Sequence, residues 1–191
     1  MTFTSLFLFS YFLGAIPFGL LLARFFADMD IRTAGSGNIG ATNVNRVLGR
    51  KLGAATLLCD IVKGMVPVIL ARALLPGETE AQVWIGFAAF IGHCFPIYLK
   101  FRGGKGVATM FGVLAILSFF TALVTFAIWF VAARLSKISS LGALAAASLL
   151  PFVSYYFMGN LRVAFIFLLM TSILMYRHKD NIRRLREGKE V

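Results

Sequence analysis

The stretch VATMFGVLAILSFFTALVTFAIWFVAA, from Val107 to Ala133, carries no charge over its 27 residues. A hydrocarbon core about 30 Å thick takes about 20 helical residues per crossing, so this run is long for one span and short for two. Its reading decides the topology of the chain. Five further apolar runs flank it, at residues 3–26, 52–75, 83–99, 141–157 and 161–176, and each reads as one membrane helix. Pro17 and Pro67 fall inside two of them and predict kinks.

Charge resolves the ambiguity. Residues 28–51 hold Arg32, Arg46, Arg50 and Lys51, which places that segment in the cytoplasm, whereas residues 76–80 contain no Lys or Arg and belong outside. Lys100, Arg102 and Lys105 then return to the cytoplasm. A single crossing by 107–133 would leave the Arg134/Lys137 loop outside, together with a tail holding Arg177, Lys179, Arg183, Arg184, Arg186 and Lys189. A hairpin of two short helices, breaking near Ser118–Thr121, returns both to the cytoplasm and obeys the positive-inside bias. The expected fold is therefore an all-α, polytopic membrane bundle of about seven transmembrane helices, two of them short. Its N-terminus is outside, its C-terminus is cytoplasmic, and residues 1–191 form one membrane-embedded domain.

Composition agrees. The chain is 59% hydrophobic with a mean hydropathy of +0.84, the signature of an integral membrane protein. A net charge of +11 draws anionic headgroups and anionic substrates to the basic face. Nucleic acid is a poor partner, because the basic residues flank membrane runs. Residues 3–26 lack a basic leader and a small-residue cleavage site, so they read as a first membrane helix and not as a removable signal. Cys59 and Cys94 sit in apolar surroundings and read as small hydrophobes.

Three polar clusters interrupt the apolar pattern, all on the expected cytoplasmic side. In the first, Gly35-Ser36-Gly37-Asn38-Ile39-Gly40-Ala41-Thr42-Asn43 precedes Arg46. Glycines allow backbone amides to converge on an anion, Ser36, Asn38 and a helix N-terminus offer donors, and Thr42 or Asn43 could cap that helix. The plainer reading is a tight interhelical loop with Arg46 reaching for headgroups. The second cluster runs from Gly92-His93-Cys94-Phe95-Pro96 to Gly103-Gly104-Lys105-Gly106. It lacks the Gly-x4-Gly-Lys-Ser/Thr spacing of a P-loop, but Lys105 between glycines reads as mobile, unshielded and suited to a phosphoryl oxygen. Anchoring at the interface, with His93 as a packing residue, is the alternative. The third cluster sets His178 and Asn181 three apart on one helix face as the chain leaves the bilayer, where basic tails usually bind headgroups. Within the second span, Asp60 and Lys63 form an i, i+3 pair, either self-neutralising or orienting the site from behind along with His93. No His/Cys/carboxylate spacing points to a metal.

Taken together, Ser36-Gly37-Asn38-Ile39-Gly40-Ala41-Thr42-Asn43-Val44-x-Arg46, Gly92-His93-x-x-Pro96 through Phe101-x-Gly103-Gly104-Lys105-Gly106-Val107-Ala108-Thr109, and His178-x-x-Asn181-Ile182-x-x-Leu185-x-x-Gly188-x-Glu190 resemble the bacterial acyl-phosphate-dependent glycerol-3-phosphate acyltransferases. The resemblance runs from the first span to the tail and extends to Asp60-x-x-Lys63-Gly64. It implies a multi-pass enzyme of the bacterial inner membrane. That enzyme moves a fatty acyl group from acyl phosphate to the 1-hydroxyl of glycerol 3-phosphate without a cofactor, the first committed step of phospholipid synthesis. A functional link to the enzyme that makes acyl phosphate follows. Carried over, the resemblance assigns Ser36, Arg46, Lys105, His178 and Asn181 to catalysis. To substrate binding it assigns Gly37, Asn38, Gly40, Thr42, Asn43, Gly103, Gly104, Gly106, Thr109 and Glu190.

Neither His93 nor His178 has an Asp five residues on, so the His-x4-Asp acyltransferase pair is missing. His178 is the best protein candidate for a base, and a phosphate oxygen of the acyl donor is the favoured one. A transporter of phosphorylated metabolites is the rival class. Against it, no inverted repeat is visible and the polar clusters lie at one face instead of the midplane.

Overall fold

In the computed structural model, which describes residues 2–190, ten α-helices and two short 3-10 turns account for all regular structure. The decisive stretch breaks at Ser118, into α6 (Val107–Leu117, 11 residues) and α7 (Phe119–Ser136, 18 residues). Ser118 takes extended dihedrals and its hydroxyl accepts the Thr121 amide, so one serine ends α6 and caps α7. The two halves are unequal, where two short helices were expected.

The reason lies in α4 (Arg50–Leu74), which runs beside α6 in the same direction. Gly64 lets α4 approach the Thr109 backbone, and Arg72 Nη1 donates to Ile116 O at 2.6 Å, satisfying a carbonyl at the end of α6. α6 therefore packs against α4 where Gly64 meets Thr109 and Gly112 meets Ile61, and its end is tied to Arg72 near the end of α4. The Gly103–Gly106 loop ahead of it is sunk into the bundle.

Pro17 does more than kink its span. The chain breaks between α1 (Phe3–Gly14) and α2 (Phe18–Ala27), and the Ile16 carbonyl so released accepts Lys63 Nζ at 2.9 Å. Pro67 stays buried inside α4. The remaining elements are α3 (Ala41–Leu48), α5 (Thr79–Cys94), α8 (Ser139–Met158), α9 (Leu161–Arg177) and α10 (Lys179–Arg186). Phe90, Met110, Leu114, Leu150, Phe167, Met170 and Leu174 fill the core between α5, α6, α8 and α9. Phe119, Phe120, Phe152, Tyr156 and Leu161 are exposed on the outer surface, as expected where lipid replaces water. Cys59 and Cys94 are free thiols.

Five segments are long and apolar enough to cross a membrane on their own, or six if α9 and α10, bent by 59°, count as one. Two contacts identify the ends of the bundle. Ser140 Oγ donates to Glu190 Oε1 at 2.7 Å, joining the start of α8 to the tail. Arg162 pairs with Glu80 at 3.5 Å, joining the starts of α9 and α5.

Candidate active site

The first cluster is organised by Asn43. Its buried side chain donates from Nδ2 to Ile31 O, Ala34 O and Asn38 O at 3.3, 3.1 and 2.9 Å, and its Oδ1 accepts the Ser36 amide at 2.8 Å. That contact demands glycine at position 35, where φ is +58° and a Cβ would overlap Asn43. Asn43 therefore shapes the loop, with both its oxygen and its nitrogen engaged by loop backbone. Neither Thr42 nor Asn43 caps α3. Gly40 does, held by a 2.8 Å bond from its amide to Asn38 Oδ1, while Thr42 is exposed. The amides of Ser36, Gly37 and Gly40 serve the loop itself, so these three are not turned to an anion as expected. With its amide occupied, Ser36 has its hydroxyl to offer.

The second cluster departs from expectation in the same way. The Gly103 and Gly104 amides donate to Cys94 O and His93 O at 3.2 and 3.0 Å, at the end of α5. Their carbonyls accept Arg177 Nη2 and Nε at 2.5 and 2.9 Å. A Cβ at Gly104 would overlap the His93 ring, and Gly106 sits at φ +86° against Phe90. These glycines permit close packing, and the result is to fix Lys105 instead of freeing it. Burial, despite nearby Glu190, pulls the Lys105 amine down to about 8, with Arg184 and Arg177 adding to the effect.

In the third cluster His178 does not share a helix face with Asn181. It is the break between α9 and α10. Its Nδ1 lies 2.9 Å from Leu174 O, and because a carbonyl only accepts, Nδ1 carries the proton and Nε2 is left as an acceptor. Burial pushes the imidazole down to about 4, and Lys105 pushes the same way. The ring is neutral at physiological pH. Glu190 is no open ligand either. Its carboxylate accepts Asn181 Nδ2, Ser140 Oγ at 2.7 Å and Arg184 Nε at 2.6 Å. Those bonds outweigh partial burial and hold the carboxyl below its ordinary range.

Beneath the second loop, Lys63 Nζ lies 2.8 Å from Asp60 Oδ1, and His93 Nδ1 lies 3.6 Å from the same oxygen. All three side chains are buried and support the loop from behind. Thr109 is fully buried against Gly64, away from any opening.

The three clusters meet around one cavity of about 1070 Å³. Ser36, Gly37, Asn38, Gly103, Lys105 and Asn181 are on its wall. Arg46 stands on the exposed face of α3 and is not a wall residue, nor are Gly40, Thr42, Gly104, Gly106 and His178. The sequence marks Arg32, Lys100 and Arg177 for topology alone and places Arg102, Lys179, Arg183 and Arg184 in the basic clusters behind the motif residues, yet all seven line this cavity. The one signal available was the position of Arg177, immediately before His178. Asp30 and Asp180 are the acidic wall residues, and Asp30 is taken up by Arg32 at 2.5 Å. Among the described residues, Lys100, Arg102 and Lys105 form no ion pair with a carboxylate. Such a wall is built to accept anions.

Comparison with known proteins decides the family. Residues 4–188 match the family model described as glycerol-3-phosphate acyltransferase. The chain belongs to that family. A glycerol-3-phosphate acyltransferase of Brucella anthropi is 48% identical over 190 residues, covering all of this chain and 92% of the relative. One from Dinoroseobacter shibae is 50% identical over 181 residues, covering 95% and 88%. Among solved structures, the crystal structure of PlsY (YgiH), an integral membrane glycerol 3-phosphate acyltransferase, superposes in its glycerol 3-phosphate form with a TM-score of 0.94. It is 34% identical, and the match covers all of this chain and 95% of PlsY. The lysophosphatidic acid form gives a TM-score of 0.91 at 32% identity. Like these family members, the chain is an integral membrane protein.

Proposed function

We propose that the protein transfers a fatty acyl group from acyl phosphate to the 1-hydroxyl of glycerol 3-phosphate, giving lysophosphatidic acid and inorganic phosphate without metal or cofactor. The observation that carries the reading is one cavity, at the mouth of an apolar bundle, where Lys100, Arg102, Lys105, Arg177 and Lys179 stand on the wall without a carboxylate partner among the described residues. Two phosphoryl groups repel, and bringing both together requires such charge. Lys105, Ser36, Asn38 and Asn181 hold phosphoryl oxygens. Arg46 joins them on the strength of its motif, and the acyl tail lies toward the bilayer.

Acyl phosphate is a mixed anhydride, so its carbonyl is already activated. The glycerol 3-phosphate hydroxyl oxygen attacks that carbon, the bond from carbon to the phosphate oxygen breaks, and the hydroxyl proton passes to the departing phosphate. His178 suits a positioning role better than that of base. Its Nδ1–H is held by Leu174 and its ring titrates near 4, well below phosphate. The work left to the protein is alignment and charge neutralisation.

For topology we infer seven crossings by one membrane-embedded unit, with the short α6 completed by its deep start beside α4. The three clusters and the α7–α8 connection share the cytoplasmic end of a bacterial inner membrane. Acyl phosphate is an unstable lipid intermediate, so a functional link to the enzyme that makes it is expected. The test is direct. Purified protein given acyl phosphate and glycerol 3-phosphate should release phosphate and lysophosphatidic acid in equal amounts, and no product from that donor refutes the assignment.

A further inference from the structure

Among the described residues, Arg177, just ahead of the third cluster, is the side chain whose hydrogen bonds hold the second. Its guanidinium donates to two successive carbonyls, Gly103 O at 2.5 Å and Gly104 O at 2.9 Å, and lies 5.5 Å from the centroid of the Phe95 ring. The matching amides are bound by His93 O and Cys94 O, so four hydrogen bonds fix the backbone of the residues just ahead of Lys105. Arg177 also immediately precedes His178, the hinge between α9 and α10. Arg177 therefore ties the bend between α9 and α10 to the Lys105 loop.

We propose that Arg177 is a positioning residue whose fork clamps the Gly103–Gly104 backbone, so that Lys105 is set at the phosphate site in register with His178 and Asn181. This rests on the acyl-transfer reading. Two features favour a clamp over a phosphate ligand. The planar fork matches two adjacent carbonyls, a geometry that Lys cannot copy. The guanidinium carbon lies over an aromatic ring, which holds it in place.

The experiment compares Arg177→Lys, Arg177→Gln and Phe95→Leu with the parent and with Arg186→Gln, an exposed charge-matched control. Folding is checked by thermal unfolding, and kcat and KM are measured for both substrates. A parent without acyl-phosphate-dependent activity sinks the acyl-transfer reading and not this one alone. With an active parent, Arg177→Lys should lower kcat by about 30- to 100-fold while KM for glycerol 3-phosphate moves less than about threefold, the pattern of misplaced reacting groups. Phe95→Leu should lower kcat by about threefold, because the guanidinium loses its brace.

Charge is separated from clamping by pH. Lys105 faces Glu190, Arg184, Arg177 and Asp180. Removing the Arg177 cation in Arg177→Gln should move the alkaline limb of kcat/KM upward from about 8. Arg177→Lys should leave that limb in place while losing kcat. Should a folded Arg177→Lys retain kcat within twofold, or lose affinity alone, Arg177 is a phosphate ligand and the clamp is refuted. If Arg177→Lys does not fold, an unchanged kcat in Phe95→Leu with an unmoved limb in Arg177→Gln refutes it equally.

Discussion

Replacing Lys105 by Met keeps most of the side-chain volume and removes one cation from the cavity wall. The structure sets the magnitude. Lys105 is half-buried, makes no ion pair with a carboxylate among the described residues, and is held on a backbone fixed at both adjacent glycines. Losing such a contact to a developing phosphate charge should cost about 2–4 kcal/mol of transition-state stabilisation, or roughly 30- to 900-fold in kcat/KM. The sign of the pH dependence follows from burial. An amine pulled down to about 8 is protonated below that pH and neutral above it, so kcat/KM should fall as pH rises through 8. Lys105→Arg keeps the charge and does not titrate below about 12, so the alkaline limb should vanish even though the absolute rate drops. The assay is phosphate release from acyl phosphate, dependent on glycerol 3-phosphate, between about pH 5.5 and 9.5. Survival of the limb in Lys105→Arg, or a Lys105→Met rate within threefold of the parent, would refute the assignment of Lys105 to phosphate.

Three further outcomes are expected. With its imidazole already neutral above about pH 5, His178→Asn should slow the reaction yet keep the acid limb set by the substrate phosphates, whose second ionisation lies near 6; loss of that limb would make His178 the base. Asp60→Asn should destabilise the protein by about 3–5 kcal/mol, since it strands the Lys63 ammonium in the bundle, and adding Lys63→Met should recover most of the thermal stability; equal losses in the single and double variants would mean that the pair is not coupled. Single cysteines placed at Lys100, Lys137 and Arg186 should react with an impermeant reagent from one side of oriented vesicles, and one at Glu78 from the other. Labelling of Lys137 together with Glu78 would break the seven-crossing topology.

Much of the protein follows from local chemistry. Apolar runs and positive loops are local properties, and they suffice for the helices, for the break at Ser118 and for the three polar clusters now grouped at one cavity. The motif residues Ser36, Asn38, Lys105 and Asn181 line that cavity because each lies next to a turn that the sequence already marks.

What only tertiary structure decided is the job of each polar atom. Glycine-rich segments look alike whether their amides bind an anion or their missing Cβ admits a neighbour. Here the neighbour won, with His93 under Gly104 and Asn43 behind Gly35. Arg177 acts through the Gly103 and Gly104 carbonyls, distant in sequence, and no local pattern reports such partners. The placing of the short α6 likewise makes sense only beside α4, where Gly64 admits the Thr109 backbone and Arg72 satisfies the Ile116 carbonyl. Hydrophobicity and charge are read residue by residue, whereas hydrogen-bond satisfaction belongs to the packed whole.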